Sequence, residues 1–243
     1  MSLLELTKLS KNFGGLQAVK EVDLKIDRDE IFGLIGPNGS GKTTIFNLIS
    51  GALRLTGGSI KFKEEEITDL KPHEICKRGI ARTFQIARPF ADVTVYKNVM
   101  IGALNNTPSL SEAARMTDEV LSITGLLNKK DVNGKNLTIP ERRRLELARS
   151  LATKPELLML DEPMAGLNPT EIEEMSELLR KIRKMGVTIF IIEHVLQAIM
   201  TLSDRIAVLN YGEKIAEGTP EEIGANQKVV EAYLGEEYLI AES

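Results

Sequence analysis

A chain of 243 residues, 42% hydrophobic and 27% charged, has apolar material for a sizeable core and is not composed like a disordered segment. Its net charge of −4 gives no bulk attraction to nucleic acid or to an anionic membrane surface. A single cysteine, Cys76, rules out an internal disulfide and suits a reducing compartment.

The first residues place Glu5 and Lys8 where a leader would keep an apolar stretch, so no signal peptide is expected. No run approaches the ~18 apolar residues of a membrane span, so any spans would be supplied by another chain. Alternating runs at 3–9 and 22–26 predict half-buried antiparallel strands. Ile31–Ile35 is apolar throughout, as a strand covered on both faces is. It runs into Gly36-Pro37-Asn38-Gly39-Ser40-Gly41-Lys42-Thr43, and a helical pattern over 42–52 follows. Strand, glycine-rich turn and helix in that order are the context of a phosphate-binding loop. Glycines let backbone N–H groups converge on a phosphate, and the helix N-terminus adds partial positive charge. Lys42 can reach the β- and γ-phosphates, and the Thr43 hydroxyl can ligate Mg²⁺. The nucleotide contacts expected here are Asn38, Gly39, Ser40, Gly41, Lys42, Thr43 and Thr44.

A strand is predicted at 59–62, and His73 reads as a surface residue. From about 90 to 153 the patterns are helical, at 111–124 and 142–153, with loops at 105–107 and 129–135. This stretch is expected to be a helical insertion into an α/β core. The next strand, 157–160, ends in Asp161-Glu162. Acids at the C-terminal end of a buried parallel strand stand where ligands of α/β proteins bind. Asp161 can hold Mg²⁺ through its water shell, and Glu162 can polarise an attacking water. A helix at 170–185 and strands at Thr188–Ile192 and 205–209 complete an alternation that implies a parallel sheet.

At this point the chain resembles, over nearly its whole length, the nucleotide-binding domain of ABC transporters. The resemblance implies a P-loop NTPase core of ABC type with a mixed sheet, an antiparallel β subdomain and an inserted helical subdomain, all in one domain of residues 1–243. It implies ATP and Mg²⁺ as cofactors. Gln85, in Arg82-Thr83-Phe84-Gln85, resembles the Q-loop that touches Mg²⁺ and the attacking water and links to the membrane subunits. Ala165-Gly166-Leu167-Asn168 resembles the D-loop of the dimer seam. His194 resembles the switch histidine at the γ-phosphate, and Phe13 the aromatic that stacks on adenine. The catalytic set implied is Lys42, Gln85, Glu162 and His194, with Thr43, Gln85 and Asp161 around the metal.

One motif departs from the family. Its signature, Leu-Ser-Gly-Gly-Gln, reaches across the dimer to the partner's nucleotide; here Leu137-Thr138-Ile139-Pro140-Glu141 stands in its place. Thr138 keeps a hydroxyl, but both glycines are gone, Ile139 adds bulk, and Pro140 has no N–H to donate. The same residues read as a helix start, with Thr138 as N-cap and Glu141 closing a capping box. The arginines that follow, 142–144, read as a solvated face containing an Arg142–Glu146 pair.

The segments 11–19, 82–90 and 93–99, with Ala165–Pro169, Gly218–Glu222 and Ala232–Gly235, resemble the ATPases of branched-chain amino-acid importers. That resemblance implies permease subunits as partners, with a cytoplasmic-helix contact around 85–100, and an indirect link to a solute-binding protein. It also implies a second, non-identical ATPase or a homodimer, and a peripheral position on the cytoplasmic face of the inner membrane. The alternatives are a lipopolysaccharide-export ATPase, a soluble ABC ATPase of DNA repair or translation, whose coiled-coil insertions or tandem domains are missing here, and a nucleotide-binding regulatory subunit that does not hydrolyse, which the altered signature favours and Glu162 and His194 oppose.

Overall fold

The computed structural model describes residues 2–83 and 89–233. Its chain begins with a long antiparallel hairpin, β1 (Ser2–Phe13) and β2 (Leu16–Asp27). Both strands outrun the alternating stretches at 3–9 and 22–26. Register shifts between Leu6 and Lys11, with Lys8 and Glu21 at φ 46° and 45°, break the alternation without ending the pairing. β4 (Gly57–Phe62) adds to β1, and the two-residue β5 (Glu65–Glu66) to β4, giving a four-stranded sheet ordered β2-β1-β4-β5.

The second sheet has six strands. β3 (Ile31–Ile35) lies between β8 (Thr188–Ile192) and β9 (Arg205–Asn210), both parallel to it. β7 (Leu157–Asp161) and β6 (Ile80–Arg82) continue the parallel set beyond β8, and β10 (Glu213–Gly218) closes the other edge antiparallel to β9. The order is β10-β9-β3-β8-β7-β6. Continuous apolarity has a direct cause here. Phe32, Leu34, Phe190 and Ile192 face a core shared with the first sheet and α1 (Lys42–Ile49), while Ile31, Ile35, Ile189 and Ile191 face a core shared with the helices on the other side. β6 is too short to carry a pattern, and β10, Glu-Lys-Ile-Ala-Glu-Gly, is a charged edge strand; neither was legible by alternation.

The helices follow local chemistry. α1 stops at Ile49 rather than 52 because Gly51 adopts φ 70° just beyond it. α2 (Pro72–Arg78) begins at a proline and presents an exposed His73, as expected for a surface residue. Between 90 and 153 lie α3 (Val95–Ala103), which the sequence patterns did not pick out, α4 (Leu110–Ile123) and α5 (Ile139–Leu151). α3 packs against both others. The loop expected at 129–135 includes parts of two short 3₁₀ turns, Leu127–Lys129 and Gly134–Asn136, and only one isolated bridge, Thr94 to Asn133. α6 (Pro169–Lys184) and the shorter α7 (Leu196–Leu202) and α8 (Pro220–Gly224) follow, and residues 227–233 are helical. No helix among the described residues is long and apolar enough to cross a membrane.

Candidate nucleotide site

The phosphate-binding loop joins β3 to α1. Gly36 leaves the sheet at φ 147°, where a Cβ would sit 2.1 Å from the Leu209 carbonyl oxygen, so only glycine fits beside β9. Gly41, at φ 107°, turns the chain into α1. Lys42 curls back inside the loop, its Nζ donating to the carbonyls of Gly36 at 2.7 Å and Pro37 at 2.8 Å. Gly212 N, in the β9–β10 turn, donates to Ser40 O at 3.0 Å and props the loop from behind. Asn38, Gly39, Ser40, Gly41, Lys42, Thr43 and Thr44 all line one cleft of about 270 Å³, together with Ala18, Glu162 and His194. Thr43 faces solvent at the start of α1, which leaves its hydroxyl open to the cleft.

Glu162 and His194 reach this cleft from the ends of two neighbouring parallel strands, β7 and β8. Pairing of Asp161 with Ile192 puts the residues that follow side by side. His194 Nε2 lies 2.7 Å from Glu162 Oε1. Glu162 has φ 52°, unusual for a residue with a side chain, and its N–H donates to Ile192 O at 2.9 Å.

Asp161 is 1% exposed. Its Oδ2 accepts from Arg82 NH2 at 2.9 Å, and Arg82 NH1 donates to Asn47 Oδ1 on α1 at 2.6 Å and to Oγ of Ser50, the residue that ends that helix, at 3.1 Å. Burial raises the Asp161 carboxyl above its usual range, and the guanidinium opposes that rise. Arg82 was missed as a site residue, although a charge directly after the apolar pair Ile80-Ala81 is the kind of signal that marks one. Asp161 Oδ1 is buried and has no hydrogen-bond partner among the described residues. A hard oxygen with a free lone pair suits Mg²⁺, and so does the Thr43 hydroxyl.

Other expected residues stand apart. Gln85 lies outside the described residues, as do Phe84, Ile86, Ala87 and Arg88. Phe13 is at the tip of the β1–β2 hairpin, 45% exposed, with Lys11 Nζ 5.0 Å from its ring centroid; it is not part of the phosphate cleft, although Ala18 on the same hairpin is. Thr138 caps α5, and its N–H donates to Glu141 Oε2 at 2.9 Å, the back half of the expected capping box. Ile139 is 58% exposed. The arginines after it are half-buried rather than a solvated face. Arg142 donates to the carbonyls of Leu137 and Lys135, Arg143 to that of Ala165 in the turn after Glu162, and Arg144 pairs with Glu174 on α6. Glu146 is 7% exposed, so it is not a partner on an open surface. Glu193 was also missed. It ends the apolar strand β8 as Asp161 and Glu162 end β7, and that likeness could have flagged it.

Comparison with known proteins adds identity to this geometry. A family model described as ABC transporter matches residues 19–165, and one described as branched-chain amino acid ATP-binding cassette transporter matches residues 213–238. The chain is 43% identical to the high-affinity branched-chain amino acid transport ATP-binding protein LivG of Salmonella typhimurium, over 96% of this chain and 98% of that protein. It is 33% identical to the lipopolysaccharide export system ATP-binding protein LptB of Haemophilus influenzae, over 98% of this chain and 99% of that one. A solved ATP-binding cassette of an ABC transporter superposes with a TM-score of 0.89 at 30% identity, covering 96% of this chain and 99% of that chain. The chain belongs to the ABC transporter family and is one of its ATP-hydrolysing subunits.

Proposed function

We propose that this subunit powers uptake of branched-chain amino acids, and that its own half of the ATP site is competent. The observation that carries the second statement is the 2.7 Å contact between Glu162 and His194 on the rim of the phosphate cleft. Support for the solute comes from the LivG likeness and from the C-terminal match at residues 213–238. In this reading the loop N–H groups and Lys42 bind the β- and γ-phosphates. Thr43 and Asp161, with Gln85, would hold Mg²⁺, which offsets phosphate charge when bound. Glu162 accepts the proton of the attacking water, and His194 orients the carboxylate and the γ-phosphate. Phe13 stacks on adenine. Residues of about 90–153 form the helical subdomain that carries the altered signature.

The partners proposed are permease subunits, a solute-binding protein reached through them, and a second ATPase with an intact signature, the whole lying on the cytoplasmic face of the inner membrane. The signature supports the asymmetry. The start of α5 already holds a carboxylate, because Glu141 takes the Thr138 N–H and pairs with Lys129 at 3.2 Å. Pro140 offers no donor. A homodimer would place this end against both nucleotides, and one lost transition-state donor is worth ~10²–10³ in rate. A partner with glycines in its signature would complete the site that contains Lys42 and Glu162.

The test is MgATP hydrolysis by this chain alone and mixed with the partner ATPase, each with and without Glu162→Gln. The mixed pair should hydrolyse far faster than the chain alone. Glu162→Gln should still bind MgATP and slow the mixed pair by ~10²–10⁴. Unchanged turnover would remove Glu162 from the mechanism, and full-speed hydrolysis by this chain alone would overturn the asymmetry.

A further inference from the structure

Glu193 is buried to 2% exposure at the end of β8, one residue before His194. Its carboxylate is held by backbone donors. Oε1 accepts from Met164 N at 2.6 Å; Oε2 accepts from His194 N at 3.1 Å and, more weakly, from Val195 N at 3.5 Å. A buried carboxylate is tolerated when such donors replace its water. Burial still pushes the group above its usual range, against the pull of those three N–H groups.

The two segments it joins matter more than the group itself. Met164 is two residues beyond Glu162, in the turn after β7. His194 and Val195 open the turn after β8. A second tie runs beside the first, from Glu162 N to Ile192 O at 2.9 Å. Glu162, one end of the second tie and two residues before the first, is at φ 52°, a conformation that persists only where the surroundings over-determine it. Ala165 N donates to Glu162 O at 3.2 Å and closes the same turn. The backbone on both sides of the Glu162–His194 contact is thus fixed, and Glu193 supplies the side-chain half of that fixing.

We propose that Glu193 is the positioning residue of the hydrolytic pair. It sets the separation of Glu162 and His194 by tying the turn after β7 to the turn after β8. This rests on the reading that Glu162 and His194 act on bound ATP. Glu193→Gln keeps size and shape but turns an NH₂ toward at least one backbone N–H, so one side of the clamp must open. A shift of about 1 Å at a reacting group can cost ~10²-fold in rate, whereas nucleotide affinity, set by the loop of residues 36–43, should hold.

The experiment measures single-turnover MgATP hydrolysis, MgATP affinity and Tm for the full chain with its partner ATPase. The variants are Glu193→Gln, His194→Ala, their combination, and Glu162→Gln. Glu193→Gln should hydrolyse ~10–100-fold more slowly with affinity within about twofold of the parent. In the His194→Ala background the same change should lower the rate less than about twofold, because no Glu162–His194 separation is left to set. If Glu193→Gln does not fold, Glu193→Asp, which keeps the charge but not the reach, carries the same measurement. An unchanged rate in Glu193→Gln, or an equal fold-loss in both backgrounds, overturns the inference. If Glu162→Gln and His194→Ala themselves hydrolyse normally, the reading of the site fails and this inference fails with it. If they are slow and Glu193→Gln is not, the inference alone fails.

Discussion

Arg82 keeps 8% of its side chain exposed and carries a full charge beside Asp161, which keeps 1%. Two charges withdrawn from water repay their desolvation only by good geometry and further hydrogen bonds. Arg82 has both: NH2 on Asp161, NH1 on Asn47 and Ser50, and the Phe46 ring 5.7 Å away. It therefore ties the acid at the end of β7 to the helix that follows the phosphate loop. Arg82→Ala leaves a buried carboxylate unpaired and should lower unfolding stability by ~3–5 kcal/mol. Adding Asp161→Asn should recover part of that loss, since the orphaned charge is then gone while the contacts to α1 are still missing. Denaturant unfolding of the two single variants and the double variant checks this; equal stability of Arg82→Ala and the double variant would show that the ion pair is not the source.

At the scale of elements, helix starts repeat one local code. Thr138-Ile139-Pro140-Glu141, Asn168-Pro169-Thr170-Glu171 and Thr219-Pro220-Glu221-Glu222 each place a cap, a proline in the first turn and a glutamate reaching back to the cap's N–H at 2.9 Å. The first was legible in the sequence; the other two obey the same rule. At α5 the glutamate's contribution should depend on pH. The Thr138 N–H, helped by Lys129, holds the Glu141 carboxyl below its usual range. A lowered folded-state value means the stabilisation is present above the unfolded value of about 4.3 and is lost as pH falls through the folded value. Glu141→Ala should melt ~2–4 °C below the parent at pH 7, as a cap worth ~1 kcal/mol would give in a chain of this size. That gap should close on acidification below about pH 4. A gap that does not change with pH would mean that the charge contributes nothing.

For the whole molecule, the six-stranded sheet separates two cores, one shared with the antiparallel sheet and one with the helices. A groove of about 350 Å³ lies where these regions meet, with Ile75, Ile101 and Arg149 on its walls. Close to it, Phe90 is 45% exposed, and the Arg149 guanidinium lies 4.8 Å from its ring centroid. An exposed aromatic against a cation, beside the segment that links to Gln85, is the surface proposed to receive a permease helix. Phe90→Asp should abolish or strongly reduce transport while MgATP affinity stays within about twofold, because the phosphate loop is untouched; each unit of 1.4 kcal/mol would be needed for a tenfold change. Transport assays and nucleotide binding on the same preparation decide it. Retained transport with normal permease assembly would place the contact elsewhere.

The sequence by itself determined what depends on neighbours along the chain. Ile31–Ile35 and Thr188–Ile192 appear with the bounds read from their apolarity, because strands covered on both faces write their burial into every residue. The phosphate loop and the acids at the end of β7 were legible because loop conformation and strand ends are local. Tertiary structure alone decided which acids meet which partners. That Asp161 would be held by Arg82, 79 residues away, follows from the pairing of β6 with β7, and β6 is three residues long with no pattern of its own. The burial of 142–144 depends on α6 and on the turn after Glu162, neither of which is visible in a run of three arginines. Glu193 became a clamp only when β7 and β8 were set side by side in register. A side chain's charge is written in the sequence, but what that charge faces is set by the sheet order that folding chooses.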